Sequence, residues 1–247
     1  DIKEIDIDDI IKRKPTSPNK KLMKKTIKNL SILVTGAGGS IGSELCKQIV
    51  INNCKKIILV EINEFNLYLI KEALENLLKH LKFDFEIVSV LGSICDEKLI
   101  RSTVKQHKPD TIFHTAAYKH VNIVEENKIQ GIINNILGTY NIAEAAFDYK
   151  VTNFILISSD KAVRPTNMMG ATKRLSEIIV QSLAYKISKI NKDKLFFSMV
   201  RFGNVVGSSG SVIPKFNSQI RNGGPVTVTH KEIIRYFMTI NEAVELV

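Results

Sequence analysis

The sequence predicts an α/β fold with a doubly wound parallel sheet. Short, continuously apolar runs alternate with amphipathic segments of helical length, and this alternation is typical of strands that are covered by helices on both faces. The composition is that of an ordinary globular protein, with 44% hydrophobic and 24% charged residues among 247. A chain of this length is long enough to bury the core of one large domain.

The elements follow in chain order from apolar runs and helical periodicity. Strands are predicted at residues 31–35, 56–61, 85–90, 111–114, 153–158 and 196–201. Helices are predicted at residues 40–50, 65–81, 97–105, 129–147 and 166–190. Three regions result: a basic linker with a short docking helix (1–30), the sheet domain (31–202) and a smaller, C-terminally incomplete lobe that begins with Gly, Ser and Pro (203–247).

The composition also excludes several classes of protein. The formal net charge is +10, but eight Lys and Arg residues fall within residues 11–30, which hold no acid, so the charge does not indicate a nucleic-acid-binding body. Three irregularly spaced cysteines fit neither a disulfide framework nor a metal site and indicate a reducing compartment. No apolar run is long enough to predict a membrane span. The basic residues 12–28 suit either a solvated linker or an anionic membrane surface.

A glycine pattern follows the first predicted strand and opens the first predicted helix. Its spacing is typical of loops in which glycines allow a tight turn, close approach to a pyrophosphate and helix packing. The phosphate would rest on the helix N-terminus. The predicted contacts are Gly36, Gly38, Gly39, Ser40, Ile41 and Gly42. Glu61 ends the second strand, where an acid accepts from both ribose hydroxyls and repels a 2′-phosphate, which favours NAD over NADP.

Further candidates follow the third and fourth strands or lie in the next helix. His114 is expected to be a hydrogen-bonded core histidine rather than a catalytic one. Asn135 stands within a helical pattern, where asparagine has a poor propensity, and it is expected to bind backbone beside the cofactor. These positions add six residues to the predicted cofactor contacts: Ser93, Ile94, Ala116, Ala117, Tyr118 and Asn135.

A group of reactive side chains follows the fifth strand. Ser159, Asp160 and Lys161 come at its end, and Met169 and Lys173 share one face of the next helix, four residues apart. In a dinucleotide-binding fold these positions lie near the nicotinamide ring. An acid, an amine and a hydroxyl around one cofactor suit an elimination assisted by oxidation and reduction. A charged, solvated turn is the alternative for Asp160 and Lys161.

Six sequence motifs together resemble the extended short-chain dehydrogenase/reductase family. They are the glycine pattern, AAYKHV at 116–121, SDKAVRPTN at 159–167, MGATKR at 169–174, RFGNVVGSSGSV at 201–212 and RYFM at 235–238. Within that family the chain is most similar to the long, membrane-tethered UDP-N-acetylglucosamine 4,6-dehydratases of surface-polysaccharide and glycan biosynthesis. The resemblance covers nearly the whole chain.

The resemblance implies a lyase reaction on a nucleotide sugar. Tightly held NAD takes hydride from C4, water leaves across C5 and C6, and the hydride returns to C6. Lys161 matches the base at C5, and Asp160 matches the acid at the C6 hydroxyl. Met169 stands where most of the superfamily has tyrosine, and a thioether is a poor base. We therefore expect Ser159, with Lys173 and a water, to relay the proton of the C4 hydroxyl.

The resemblance also implies further contacts, partners and a location. Val205 is added to the cofactor contacts, as is Lys173, which would also bond the nicotinamide ribose. The substrate contacts are Lys119, His120, Asn204, Lys215 and Arg235. The implied substrate is a UDP-sugar, with no metal, and the implied assembly is a homodimer or higher homo-oligomer. The implied location is the cytoplasm, at the inner face of the cell membrane. A C5-inverting dehydratase, a C4 epimerase and a non-catalytic NAD-sensing scaffold stay open as alternatives.

Overall fold

The computed structural model describes residues 16, 18–81, 83–190, 194–208, 212–228, 230–232 and 234–247. Within these ranges, one fully parallel sheet of six strands has the order β3-β2-β1-β4-β5-β6. The strands are β1 (Ser31–Thr35), β2 (Lys56–Glu61), β3 (Glu86–Leu91), β4 (Thr111–His114), β5 (Asn153–Ser159) and β6 (Phe196–Phe202). This is the doubly wound order of Rossmann folds, so the predicted fold class is confirmed.

Helices and short segments connect and follow these strands. The helices are α1 (Lys20–Ile27), α2 (Ser40–Ile51), α3 (Glu64–Leu78), α4 (Glu97–His107), α5 (Val121–Glu126), α6 (Lys128–Ile132), α7 (Gly138–Asp148), α8 (Met168–Lys189), α9 (Val212–Arg221) and α10 (Ile240–Glu245). A π-helical segment, Ile133–Leu137, joins α6 to α7, and a 3-10 turn, Asp160–Ala162, follows β5. Two short parallel strands, β7 (Asn204–Val205) and β8 (Phe237–Met238), form a separate pair.

The hydrophobic core has one layer on each face of the sheet. In β1, Ile32 and Val34 pack in the layer that contains α2 and α3, whereas Leu33 packs in the layer that contains α4, α7 and α8. Successive strand residues point to opposite faces, so a strand buried on both sides must be apolar throughout. Val244 of α10 belongs to the α2 layer, so the C-terminal part of the chain packs on the sheet domain.

Side chains start several helices at defined residues. Asn63, Asp96 and Asn167 accept a backbone N–H in the first turn of α3, α4 and α8, which satisfies one of the donors that a helix N-terminus leaves open. The loop between β5 and α8 therefore ends at a fixed point. This matters for the site, because α8 begins with residues that line the cleft.

The structure differs from the predicted elements in the middle of the chain. Residues 129–147 were expected to form one helix, but α6, the π-helical segment and α7 divide this region. α5 and α9 were not predicted. Among the described residues, none of the helices combines the length and the apolar character that crossing a bilayer requires. The predicted boundary at residue 203 stays a prediction.

Candidate functional site

A cleft opens at the carboxyl ends of the strands, next to β1 and β4, where the strand order changes direction. Parallel α/β sheets bind ligands at such a point. We name the half beside Glu61 the β2 half, of about 230 Å³, and the half beside Lys161 the β5 half, of about 200 Å³. The two halves are continuous, because they share Ile41, Thr115, Ala117 and Lys119.

Most of the predicted cofactor residues line this cleft. The β2 half is lined by Gly36, Gly39, Ser40, Ile41, Gly42, Glu61, Ser93, Ile94, Ala116, Ala117 and Tyr118. Val205 lines the β5 half, and Gly38 lies behind the lining. The fold thus gathers the ends of all six strands of the sheet around one space long enough for an extended ligand.

The glycine loop brings backbone close to the cleft. Gly36 has a φ of +64°, a left-handed conformation that favours glycine. A Cβ on Gly42 would overlap the carbonyl group of Gly36, so α2 packs directly against the loop. Gly39, which has no side chain to cap the helix, is the N-cap residue of α2. The positive end of the α2 dipole therefore meets the cleft, which suits a phosphate.

Glu61 connects the glycine loop to the end of β2. Its side chain is buried and accepts from the backbone N–H of Gly38 at 2.9 Å, of Ile62 at 3.0 Å and of Asn63 at 3.1 Å. An ionised carboxylate has about four acceptor positions, so capacity remains for a ligand hydroxyl. Gly38, which does not line the cleft, thus helps to shape it by holding the Glu61 carboxylate in place.

His114 belongs to a buried hydrogen-bond chain beneath the cleft. Its Nδ1 lies 2.7 Å from Thr35 Oγ1, and its Nε2 lies 2.9 Å from Thr139 Oγ1. The Thr139 hydroxyl donates to the Asn135 carbonyl at 2.6 Å, so we assign the ring hydrogen to Nε2. Burial lowers the pKa of His114 to about 3, and the charge of Lys173 adds to this shift. The histidine is therefore neutral and structural, as the sequence indicates.

Asn135 lies in the π-helical segment and differs from its predicted role. Its Oδ1 accepts from Tyr118 N at 2.8 Å, while its Nδ2 donates to Tyr118 O at 3.0 Å and to Thr172 Oγ1 at 2.9 Å. The side chain is buried and does not line the cleft. The prediction of a direct cofactor contact is therefore corrected. The side-chain amide of Asn135 forms its hydrogen bonds with protein groups and fixes the backbone of Tyr118.

The residues after β5 form a small charged group at the other half of the cleft. Asp160 Oδ1 accepts from Ser159 Oγ at 2.9 Å and from Lys161 Nζ at 3.2 Å. Ser159 and Lys161 line the β5 half. Asp160 lies at its rim, with Oδ2 3.9 Å from where a Cβ on Gly203 would be. An acid, an amine and a hydroxyl thus occur together at one edge of the cleft.

The first turns of α8 complete the β5 half. Met169 and Lys173 are both buried and both line it, so the predicted shared face exists. Lys173 Nζ donates to the carbonyl oxygen of Ile157 at 2.7 Å. Burial lowers the pKa of Lys173 to about 8, although the carboxylate of Glu177 opposes the shift. This amine therefore exchanges its proton near neutral pH more readily than an exposed lysine does.

The predicted substrate residues divide into two groups. Lys119 lines both halves, and desolvation lowers its pKa. Asn204 lines the β5 half and donates to the carbonyl oxygen of Tyr236 at 3.4 Å. The structure does not bring the other three to the cleft, since each is exposed elsewhere: His120 before α5, Lys215 on α9 and Arg235 before β8.

Several cleft residues were missed by the sequence analysis. Thr115 lines both halves and donates to the Thr35 carbonyl at 2.6 Å. Its place directly after β4 was a usable signal. Asn66 on α3 and Asn134 in the π-helical segment line the β2 half, and Ser208 lines the β5 half. For these three, the sequence offered only a polar residue in a helix or loop.

Comparisons with known proteins agree with this geometry. A family model described as polysaccharide biosynthesis protein matches residues 32–247. The capsular polysaccharide biosynthesis protein CapD of Staphylococcus aureus is 46% identical over 246 residues, which are 100% of this chain and 40% of CapD. A UDP-glucose 4-epimerase of Rickettsia rickettsii is 34% identical over 221 residues, 88% of this chain and 61% of that protein. The chain thus spans less than two thirds of these relatives.

A solved structure extends the comparison to three dimensions. Pen from Bacillus thuringiensis has a TM-score of 0.79 and 33% identity, over 90% of this chain and 66% of Pen. The family match covers nearly the whole sheet domain and the residues after it, and the strand order and glycine loop are those of dinucleotide-binding folds. The chain therefore belongs to the polysaccharide biosynthesis protein family, within the extended short-chain dehydrogenase/reductase proteins.

Proposed function

We propose that this chain carries the catalytic site of an NAD-dependent 4,6-dehydratase that acts on UDP-N-acetylglucosamine. One observation carries the proposal: Ser159, Lys161, Met169 and Lys173 line one half of a cleft whose other half contains the glycine loop. NAD bound along the cleft would supply the hydride acceptor and donor. The product would be a 4-keto-6-deoxy sugar nucleotide for surface polysaccharide or glycan biosynthesis.

The residues of the β2 half fit the adenosine and diphosphate part of NAD. The N-terminus of α2 would hold the diphosphate, and the remaining acceptor capacity of Glu61 would take the ribose hydroxyls. A 2′-phosphate would meet the buried Glu61 carboxylate, which favours NAD over NADP. Lys119 lies where the two halves meet and would bind a phosphate or sugar hydroxyl.

The Asp160 and Lys161 pair would carry out the elimination. Lys161 would take the C5 proton, and Asp160 would give a proton to the departing C6 hydroxyl. In the unliganded chain the two side chains form an ion pair at 3.2 Å. Movement of one proton from Lys161 Nζ to Asp160 Oδ1 turns that pair into a neutral amine and a carboxylic acid. Both reactive forms therefore arise from a single transfer when a substrate excludes water.

The proton of the C4 hydroxyl needs a path other than residue 169. Met169 has no exchangeable proton, while Ser159 and Lys173 line the same half of the cleft. We propose that Ser159, a water and Lys173 pass this proton on. The pKa of Lys173, lowered by burial to about 8, supports this role.

A C4 epimerase is the second candidate, because a UDP-glucose 4-epimerase is among the relatives. That reaction needs no base at C5 and no acid at C6, so it gives Asp160 and Lys161 no role in the chemistry. It also normally uses a tyrosine where this chain has Met169. A C5-inverting dehydratase would use the same acid and base and differ in the face from which C5 is reprotonated.

We also propose a homodimer or higher homo-oligomer and a position near the membrane. Neighbouring helices α6 to α8 and the π-helical segment expose the large apolar residues Ile129, Leu137, Tyr140, Leu175 and Ile178, a surface suited to a second copy. The exposed lysines of α1 lie beyond the amino ends of the strands, away from the cleft. They would face anionic lipid at the cytoplasmic side, at about 1 kcal/mol per cation.

The decisive experiment follows UDP-N-acetylglucosamine and NAD with the protein in deuterated water by NMR. A dehydratase incorporates solvent deuterium at C5 and yields a 4-keto-6-deoxy product, whereas an epimerase yields the C4 epimer without C5 exchange. Lys161→Ala should keep NAD binding and abolish C5 exchange. Retained exchange in that variant would exclude Lys161 as the base, and NAD binding without any conversion would indicate a scaffold.

A further inference from the structure

A buried carboxylate on α8 lies outside the mechanism proposed above. The side chain of Glu177 is 0% exposed and accepts four hydrogen bonds. They come from Ser158 Oγ at 2.6 Å, Arg174 Nη1 at 2.9 Å, and Arg201 Nε at 2.7 Å and Nη2 at 2.5 Å. These bonds occupy about all the acceptor positions of a carboxylate. Burial alone would raise the pKa of Glu177, but its donors outweigh burial and lower it to about 2.

The four donors tie three elements together at the β5 half of the cleft. Ser158 and Arg201 are register partners in β5 and β6, and Arg174 lies on α8 with Glu177. Ser158 lines the cleft and directly precedes Ser159. Arg201 directly precedes the segment that brings Gly203 and Asn204 to the cleft. One carboxylate therefore fixes the two strand ends and the helix that deliver the reactive residues.

Glu177 also lies one helical turn after Lys173, on the same face of α8. These neighbours of Lys173 do little to stabilise its positive charge. His114 on β4 is neutral, Lys119 and Lys161 along the cleft are cations, and the Ile157 carbonyl oxygen accepts one hydrogen bond from the amine. On β6, Arg201 is already paired with Glu177, and Asp160 is paired with Lys161 at the rim. Among the described residues, Glu177 is thus the buried anion whose negative charge stabilises the protonated amine of Lys173.

We propose that Glu177 is the positioning residue of this site: its charge stabilises the protonated form of the buried Lys173 amine, which still exchanges that proton near neutral pH, and its hydrogen bonds hold β5, β6 and α8 in register around it. The proposal deepens the proposed function and rests on it only in giving Lys173 a part in the proton path. Removal of the Glu177 charge should therefore make Lys173 lose its proton at lower pH, even with no ligand bound.

The test is a pH titration of the unliganded chain labelled with lysine 13Cε, followed by NMR. The Lys173 resonance is assigned as the one that Lys173→Arg removes. The parent should titrate with a midpoint near 8, and Glu177→Gln should lower that midpoint by about one pH unit, a tenfold loss of proton affinity. Ser158→Ala is the matched control, because it removes one hydrogen bond of the network and leaves the charge. Its midpoint should stay at the parent value.

A second variant serves as the control for the case in which Glu177→Gln does not fold. Glu177→Gln leaves the Arg201 guanidinium without its partner, so the double variant Glu177→Gln, Arg201→Gln replaces both charges with neutral amides. Because the double variant also lacks the Arg201 cation, its reference is Arg201→Gln alone, from which it differs only at residue 177, and its midpoint should lie below that reference. An unchanged Lys173 midpoint in folded Glu177→Gln, or in the folded double variant relative to Arg201→Gln, would overturn the proposal and leave Glu177 a structural tie. Since no substrate is present, a failed dehydratase assay would not change this result.

Discussion

Gly42→Ala tests the close contact between α2 and the glycine loop. An added Cβ would overlap the carbonyl group of Gly36, whose carbon would lie 2.9 Å away, and would lie 3.0 Å from Thr115 Oγ1. Neither neighbour moves freely: one is loop backbone, and the Thr115 hydroxyl is held by the Thr35 carbonyl at 2.6 Å. Helix and loop must therefore separate by about 1 Å to reach ordinary contact distances.

Two opposing effects set the magnitude. Alanine in place of a helical glycine gains about 1 kcal/mol of helix propensity. Overpacking against atoms that move little costs about 1–3 kcal/mol, and backbone overlap belongs at the upper end. We expect a net loss of about 1–2 kcal/mol in the free energy of unfolding. The displaced helix N-terminus should also weaken NAD binding by at least about tenfold, since phosphate binding depends on those N–H groups.

The chain has no tryptophan, so urea unfolding is followed by far-UV circular dichroism and NAD binding by calorimetry. Gly39→Ala is the matched control for stability. At Gly39 φ is −71°, and the only close atom among the described residues is Gly36 O at 3.2 Å. Because alanine is a poorer N-cap residue than glycine, the unfolding free energy of Gly39→Ala should fall by up to about 1 kcal/mol, less than that of Gly42→Ala. If Gly42→Ala were as stable as the parent or more so, with unchanged NAD affinity, the packing argument would be refuted.

Three further predictions concern the supports of the cleft and the proton path. Asn135→Ala should lower the free energy of unfolding by about 2–4 kcal/mol, because the backbone N–H and carbonyl of Tyr118 and the buried hydroxyl of Thr172 lose their partner, as urea unfolding would measure. Stability should fall as pH drops from about 6.5 toward 3: the unfolded chain protonates its histidine in that window while folded His114, with a pKa of about 3, does not, and His114→Gln should show a smaller fall in pH-dependent unfolding curves. Met169→Tyr should keep or raise turnover in the NMR assay, and a fully inactive but folded variant would contradict the proposed relay.

The sheet was predictable because burial on both faces leaves a simple signal. The bounds of β1, β2 and β4 agree with the prediction at both ends, β5 and β6 each extend one residue further, and β3 is shifted by one residue at both ends. The helix predicted at residues 129–147 was wrong in its continuity. A π-helical segment shifts hydrogen bonds by one residue without changing the apolar pattern much, so periodicity does not reveal it.

Part of the cleft lining was predictable because it lies at a strand end or within two residues after it. The carboxyl ends of parallel strands meet at one edge, so Glu61, Ser93 and Lys161 could be placed from their positions in sequence. Lys215 and Arg235 were chosen for charge, without a strand end to fix them; both are exposed, and neither is among the residues that line the two halves of the cleft. Asn135 was correctly expected to bind backbone, but its partner is Tyr118, 17 residues earlier, and not the cofactor.

The supports beneath the cleft could not be found this way, because their partners lie far apart in sequence. Thr35 and His114 are separated by 79 residues, and Glu177 reaches Arg201 over 24. The hydrogen bonds of these buried polar groups satisfy one another, so loss of one partner leaves another unsatisfied. With methionine instead of tyrosine at position 169, the proposed proton path through Ser159, water and Lys173 would have more links than a single phenol. Glu177 holds Ser158, which precedes Ser159, and Asn135 holds Thr172, which precedes Lys173, so both of these links would depend on the buried hydrogen bonds.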